Sequence, residues 1–166
     1  TYSFSDPDDV IDTLGQGPLA KAVAYHLTAT GKSPILATPA TSDVAASLTS
    51  PFTGKTDGAP DVTSSSTPND AYQIRVKITK GGLLATAEFQ YSLDGGDTWS
   101  DVILTAATYV LPDTGVTIAF ASGTYVLDDV YATTCVAPGY STANLGVAFD
   151  ALVASQYQPS LLHVVG

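Results

Sequence analysis

The residues with the clearest capacity for chemistry lie near the middle of the chain, in a carboxylate-rich turn. Residues 92–100 read SLDGGDTWS, and residues 92–99 match the pattern Ser-x-Asp-x-Gly-x-Thr-Trp at every position. Asp94 can accept hydrogen bonds from the amides that follow it, and the glycines allow positive φ at no steric cost. The stretch predicts a hairpin turn after which Trp99 packs on the sheet. The structural residues of this motif are Ser92, Asp94, Gly96, Thr98 and Trp99.

The carboxylates around this turn suggest two kinds of chemistry. A glycosidase needs one carboxyl group in an apolar pocket and a second at a defined distance, and Glu88 with Asp94, Asp97 or Asp101 supplies the residue types. Glu88, however, alternates onto the polar face of its strand, which indicates solvent. The same three aspartates are calcium candidates, because hard cations bind clustered oxygens, although their spacing is not that of an EF-hand. We expect them to be turn residues.

A second set of reactive side chains comprises Cys135 with His26 or His163, a nucleophile and a base by type. Cys135 lies in a β-branched and alanine-rich strand, where a small buried hydrophobic residue is usual. His163 lies in an apolar stretch, and no third orienting partner is evident. We therefore expect no catalytic residue, no cofactor, no metal ligand and no enzymatic activity.

The composition limits the classes of partner. The chain has 166 residues, of which 45% are apolar, so it can bury a sizeable core. Sixteen acidic residues against six basic ones give a net charge of −10. Nucleic acids and anionic membrane surfaces require clustered Lys and Arg, so neither is expected as a partner. No run of about 18 apolar residues occurs, so we expect no membrane span.

Both ends of the chain have the pattern of an α/β segment. Residues 1–48 predict a helix after Asp6, a second helix after Gly17 that ends at Gly31, and a strand at 34–38. Residues 138–166 predict a helix capped by Ser141 or Thr142, with an apolar stripe, and a strand at 161–165. The apolar stripe of this last helix consists of Leu145, Phe149, Leu152 and Val153. Since Met is absent and the last strand ends abruptly, we expect a piece of a longer protein with a larger core.

The middle of the chain has a different pattern. Residues 49–70 are rich in Ser, Thr and Pro and predict a surface connector. Residues 71–137 alternate apolar and polar side chains over six or seven short strands, which predicts an inserted all-β domain. The fold class is thus α+β or α/β, a partial α/β layer of two helix–strand pairs interrupted by an antiparallel β-sandwich or barrel. Two tandem domains and one α+β domain are the competing architectures.

The motif at 92–99 is the Asp-box, which is typical of hairpins in sialidase-type β-propellers. A propeller carries one such motif per blade, and this chain has a single copy. Sialidases hold a carboxylate with several arginines, whereas Arg75 is the only arginine here. The propeller interpretation therefore fails.

The order of several stretches resembles the middle of tail-sheath-like structural proteins of contractile-tailed bacteriophages. These stretches are GPLAKAVA at 17–24, the alternating strand at 72–78, FQYSLDGGDTW at 89–99, TGVT at 114–117, GTY at 123–125 and LHVVG at 162–166. The resemblance covers most of the chain and implies a structural protein of the virion, located in the phage tail. It implies neighbouring copies and other tail proteins as partners, an exposed β-domain and no catalytic residues.

A carbohydrate-binding β-sandwich for surface adhesion is the alternative function. In it Trp99 and strand-end tyrosines such as Tyr109 and Tyr125 would stack on sugar rings. A cell-surface glycan would then be the partner. A glycosidase fragment ranks below both.

Overall fold

The computed structural model describes residues 1–31, 34–156 and 163–164. The chain divides into two compact units. The first, here called the helical unit, consists of Thr1–Ala45 and Ala137–Gly166, and the second, the β unit, consists of Ala46–Val136. The fold is mixed α+β with mostly antiparallel sheets. Within the described ranges, no helix combines the length and the apolar character needed to cross a bilayer.

The helical unit contains strands β1 (Tyr2–Phe4) and β2 (Ile35–Ala37) and helices α1 (Pro7–Leu14), α2 (Pro18–Thr30) and α3 (Thr142–Val153). The predicted caps are confirmed. The Asp6 carboxylate accepts a hydrogen bond from the amide of Asp8 at 3.0 Å, and Gly31 ends α2 in the left-handed conformation. Ser141 caps α3 by accepting from the amide of Asn144 at 3.4 Å.

The strands of the helical unit are antiparallel, whereas the predicted α/β pattern implies parallel strands. β1 pairs with β2 in antiparallel register, with Ser3 opposite Leu36. The three residues of β1 are too few to show a period, so the strand was not predicted. The predicted strand at 161–165 lies largely outside the described residues, and His163 and Val164 are not in a strand.

The core of the helical unit lies between β1, β2, α1 and α2. Its buried side chains are Phe4, Val10, Ala20, Val23, Leu27 and Ala37. The predicted apolar stripe of α3 is wrong in part, because Phe149 is 48% exposed and Val153 65% exposed, and only Leu152 is buried. Amphipathic spacing alone does not say which apolar positions have a neighbour to bury them.

The β unit contains ten strands among the described residues. They are β3 (Ser47–Leu48), β4 (Val62–Thr63), β5 (Tyr72–Lys80), β6 (Gly82–Leu83), β7 (Glu88–Ser92), β8 (Ile103–Leu104), β9 (Thr108–Val110), β10 (Thr117–Phe120), β11 (Thr124–Tyr125) and β12 (Val130–Val136). A large sheet has the order β3-β12-β5-β7-β8, a small sheet has the order β4-β10-β9, and β6 pairs with β11. The pairings described do not close a barrel.

The period of two in β5 is confirmed. Ile74, Val76 and Ile78 are fully buried, whereas Gln73 and Arg75 are exposed on the opposite side, here called the outer face of the large sheet. The two sheets contribute to one apolar core. Phe89 of β7 and Phe120 of β10 meet there, with ring centroids 4.8 Å apart.

The interpretation of residues 49–70 as a surface connector is wrong. Phe52 and Val62 are buried in the core, and β4 pairs with β10. The amide of Phe52 donates to the carbonyl of Val62 at 2.9 Å, and the amide of Thr53 donates to Ala132 at 2.9 Å. Isolated apolar residues in a polar stretch have no period, yet they fill the core where long-range backbone bonds hold the segment in place.

Candidate functional site

The Asp-box turn is held by hydrogen bonds within itself. The hydroxyl of Ser92, which is buried, donates to Oδ1 of Asp94 at 2.6 Å and accepts from the amide of Gly96 at 2.8 Å. Oδ1 of Asp94 also accepts from the amides of Asp97 and Thr98 at 3.0 Å. Oδ2 of Asp94 accepts from the hydroxyl of Thr98 at 2.6 Å. Both carboxylate oxygens are thus used by the turn.

These donors also set the charge of Asp94. The hydroxyls of Ser92 and Thr98, followed by the backbone amides of Thr98 and Asp97, hold the pKa of Asp94 well below its usual range. A carboxylate that stays ionised down to strongly acidic pH cannot supply a proton at neutral pH. Asp94 therefore lacks the property that a general acid needs.

The structure does not assemble the calcium candidates Asp94, Asp97 and Asp101 into a site. Within residues 1–31, 34–156 and 163–164, no group of three or more His, Cys, Asp and Glu side chains is arranged to hold a metal ion. Glu88, the glycosidase candidate, forms an ion pair with Lys80 at 2.9 Å on the surface. It therefore lies outside the apolar environment that would raise the pKa of an acid catalyst.

Trp99 does not pack into the core, contrary to the prediction. Its side chain is 38% exposed. Backbone bonds to β5 anchor the hairpin instead: the amide of Gln73 donates to Leu93 at 3.1 Å, and the amide of Gly95 donates to Gln73 at 2.9 Å. Trp99 precedes the first residue of β8 by four positions, so no strand geometry directs its ring toward the core.

The exposed ring of Trp99 has an unusual neighbour on the outer face. A Cβ atom placed on Gly96 would lie 3.4 Å from Cζ2 of Trp99 and 3.5 Å from Cδ of Arg75. Trp99 and Arg75 therefore flank the same backbone position. No local sequence pattern predicts this proximity, because Arg75 lies 24 positions earlier in the chain.

Arg75 is also distinctive in its electrostatics. Three lysines of the β unit have acidic partners: Lys55 with Asp61 at 2.6 Å, Lys77 with Asp128 at 3.3 Å and Lys80 with Glu88 at 2.9 Å. Arg75 has no ion pair and no side-chain hydrogen bond to any residue that the structure describes. Strand alternation would have predicted its exposure, but only the register shows what surrounds it.

The reactive side chains outside the hairpin belong to different units. Cys135 is buried in the core of the β unit, opposite Leu48 and Tyr72, and this burial raises the pKa of its thiol. The rings of His26 and His163 meet edge to face in the helical unit, with centroids 5.7 Å apart. Cys135 is thus a core residue, as small buried thiols usually are.

The tyrosine predictions need one correction. Tyr125 is buried and donates its hydroxyl to the carbonyl of Ala121 at 2.7 Å. Burial, with a smaller contribution from Asp61, raises the pKa of Tyr125 to about 12. Tyr109 is half-buried against Phe89, with ring centroids 5.4 Å apart. Tyr125 is therefore not available to a ligand.

A shallow cavity of about 240 Å³ lies in the helical unit, between β1, residues 38–41 and α3. Tyr2, Asn144 and Val147 are among its lining residues. None of the described residues that line it has an Asp, Glu, His, Cys, Lys or Arg side chain. Apolar and uncharged polar side chains therefore line the cavity.

Comparison of the chain with protein-family models, with curated proteins and with solved structures gives no match in any of the three.

Proposed function

We propose that the chain is a structural module without enzymatic activity that works by assembling with other proteins, as in the tail-sheath-like proteins that it resembles. The observation that supports this proposal is the surface of α3. Val147, Phe149 and Val153 are exposed on a helix whose only charged residue is Asp150. Apolar side chains grouped on a surface are characteristic of interaction sites.

The spacing within α3 supports a continuous contact surface. Phe149 and Val153 are four residues apart, so their side chains lie next to each other on one side of the helix. This pair is here called the α3 patch. In the proposal, neighbouring copies and other tail proteins cover the α3 patch, and the protein is located in the virion.

The finer architecture of the β unit is part of the proposal. We assign it as an antiparallel sandwich inserted between the two parts of the helical unit. The shared core of the large and small sheets supports this assignment, because sandwich cores are filled from the inner faces of both sheets. In the proposal, this sandwich is exposed on the outside of the assembly.

The test is self-association measured by analytical ultracentrifugation over a range of protein concentrations. The net charge of −10 makes copies repel each other, so association should strengthen with salt. The Debye length falls from about 30 Å at 0.01 M to about 3 Å at 1 M ionic strength, which covers the useful range.

A matched pair of variants tests whether self-association uses the α3 patch. Phe149→Asp should weaken association about tenfold or more, because it places a charge in the apolar contact. Leu83→Asp, which changes an exposed leucine of the β unit, should leave association unchanged. A wild-type chain that stays monomeric at every concentration and salt would overturn self-assembly, and equal effects of the two variants would remove α3 from it.

A second candidate function is glycan binding, and the exposure of Trp99 favours it. Indole rings at a surface stack on the apolar faces of sugars while their N–H groups remain hydrated. The two functions are compatible, because the α3 patch belongs to the helical unit and Trp99 to the β unit.

A further inference from the structure

The open environment of Arg75 follows from the register of the large sheet. Arg75 lies opposite Ser92 of β7 on one side and opposite Ala132 of β12 on the other. Both neighbours are short, so neither can cover the long arginine side chain. Since directly opposed residues in antiparallel strands point to the same face, Arg75 extends above a shallow part of the outer face.

The position of Trp99 adds an aromatic surface beside this cation. Gly96 has a φ of 106° and no side chain, which lets the indole and the arginine stem approach the same point. Trp99 has no aromatic ring or cation stacked on it among the residues that the structure describes. An exposed indole and an arginine without a partner are therefore both open to solvent at one place.

A polar side chain borders the same place. Gln73 lies two residues before Arg75 on the outer face, and its Oε1 is 2.9 Å from the point where a Cβ of Gly95 would lie. A carboxamide supplies both a donor and an acceptor. We call Gln73, Arg75 and Trp99 the outer-face triad.

We infer that the outer-face triad binds a saccharide residue that carries a carboxylate, such as a hexuronic acid. The apolar face of the sugar ring stacks on the indole of Trp99. The sugar carboxylate accepts two parallel hydrogen bonds from the guanidinium of Arg75, a geometry that arginine provides and lysine does not. Gln73 hydrogen-bonds a ring hydroxyl. This inference deepens the second candidate function and is independent of assembly through the α3 patch.

The net charge of the chain disfavours nucleic acids as ligands of this face. A nucleic acid presents many phosphates, and a surface with one free arginine in a chain of net charge −10 cannot neutralise them. A single carboxylate on a mostly hydroxylated ring needs only one such partner. A neutral sugar can stack on Trp99 but leaves the charge of Arg75 without a counterpart, so it should bind more weakly.

The experiment compares two oligosaccharides that differ only in this group. Oligomers of a hexuronic acid are titrated against the neutral oligomers in which a hydroxymethyl group replaces each carboxylate. Trp99 is the only tryptophan, so its fluorescence reports occupancy of the site directly. At about 0.15 M salt the Debye length is about 8 Å, which screens distant acidic residues. The acidic oligomer should bind about tenfold more tightly or better.

Three variants separate the contributions. Arg75→Gln should reduce the affinity for the acidic oligomer to that for the neutral one. The affinity for the neutral oligomer should stay nearly unchanged. Lys77→Gln is the matched control, because it removes a positive charge from the same face of the same strand. Trp99→Ala should weaken the binding of both oligomers about tenfold or more. Calorimetry replaces fluorescence for this last variant, and circular dichroism checks that each variant is folded.

Several results would overturn the inference. Equal affinities of the wild-type chain for the two oligomers, or no binding of either at millimolar concentration, would exclude a carboxylate site. If Arg75→Gln and Lys77→Gln lost equal affinity for the acidic oligomer, the cause would be a general charge effect instead of a specific contact. Unchanged binding in Trp99→Ala would place the sugar elsewhere. None of these outcomes affects the ultracentrifugation test, whose variants lie outside the triad.

Discussion

The helical unit and the β unit differ in how completely they bury their apolar side chains. In the β unit, two sheets and residues from the stretch 49–70 fill one core that includes Phe52, Phe89 and Phe120. In the helical unit, the core cluster is built from β1, β2, α1 and α2, and exposed α3 side chains such as Phe149 lie outside it. The β unit thus buries a larger apolar cluster, whereas Phe149 and Val153 of α3 stay exposed.

The largest expected effect tests this contrast with one substitution in each unit. Phe89→Ala removes a fully buried ring from the β unit and should lower the free energy of unfolding by about 3–5 kcal/mol. Phe149→Ala on α3 should change it by less than about 1 kcal/mol, because the side chain is already half exposed. Urea unfolding followed by circular dichroism measures both. Similar losses for the two variants would contradict the contrast.

A smaller effect is expected from a buried hydroxyl. Tyr131 is fully buried and donates its hydroxyl to the carbonyl of Pro60 at 3.0 Å. Tyr131→Phe should lower the free energy of unfolding by about 1 kcal/mol, because the carbonyl loses its partner. Tyr25→Phe is the control in the helical unit, where the ring is largely exposed, and should have no measurable effect. If Tyr131→Phe left the free energy of unfolding unchanged, solvent would have to reach the carbonyl of Pro60.

A pH-dependent change in stability is expected from Asp94. Because the folded pKa of Asp94 lies below its unfolded value of about 3.9, the ionised turn stabilises the fold above that value. This contribution is lost as pH falls from about 4 toward the lower folded pKa. Wild type should therefore be more stable than Asp94→Asn at neutral pH, and the gap should narrow below about pH 4.

Asp97→Asn is the control for this experiment. The carboxylate of Asp97 accepts no hydrogen bond within the part of the chain that the structure describes, although its amide donates to Asp94. The difference in stability between Asp97→Asn and wild type should stay constant over the same pH range. Thermal unfolding at a series of pH values measures both differences, and a constant gap for Asp94→Asn would disprove the role assigned to its hydrogen bonds.

Local signals predicted the helices and the long strands well. Asp6 and Gly31 mark helix ends through their own backbone and side-chain chemistry, and the alternation of β5 matches its observed faces. These features depend on residues close together in the chain. The strands β1, β3, β4 and β6 were missed because two or three residues have no detectable period.

The candidate site was only partly predictable. The hairpin at 92–99 is encoded by Asp94 and its neighbours, because the donors to its carboxylate lie within four positions. The exposure of Trp99 was not predicted, because an aromatic residue after a turn can face either side of a sheet.

The sequence by itself determined the Asp-box turn, the helix caps and the alternating faces of β5, since each arises from interactions over a few residues. The tertiary structure alone decided that residues 49–70 join the core, that β1 and β2 pair in antiparallel register, and that Arg75 and Trp99 flank Gly96. These outcomes depend on strand register and on which surfaces find a partner. Both are set by contacts between residues far apart in the chain, which no local pattern encodes.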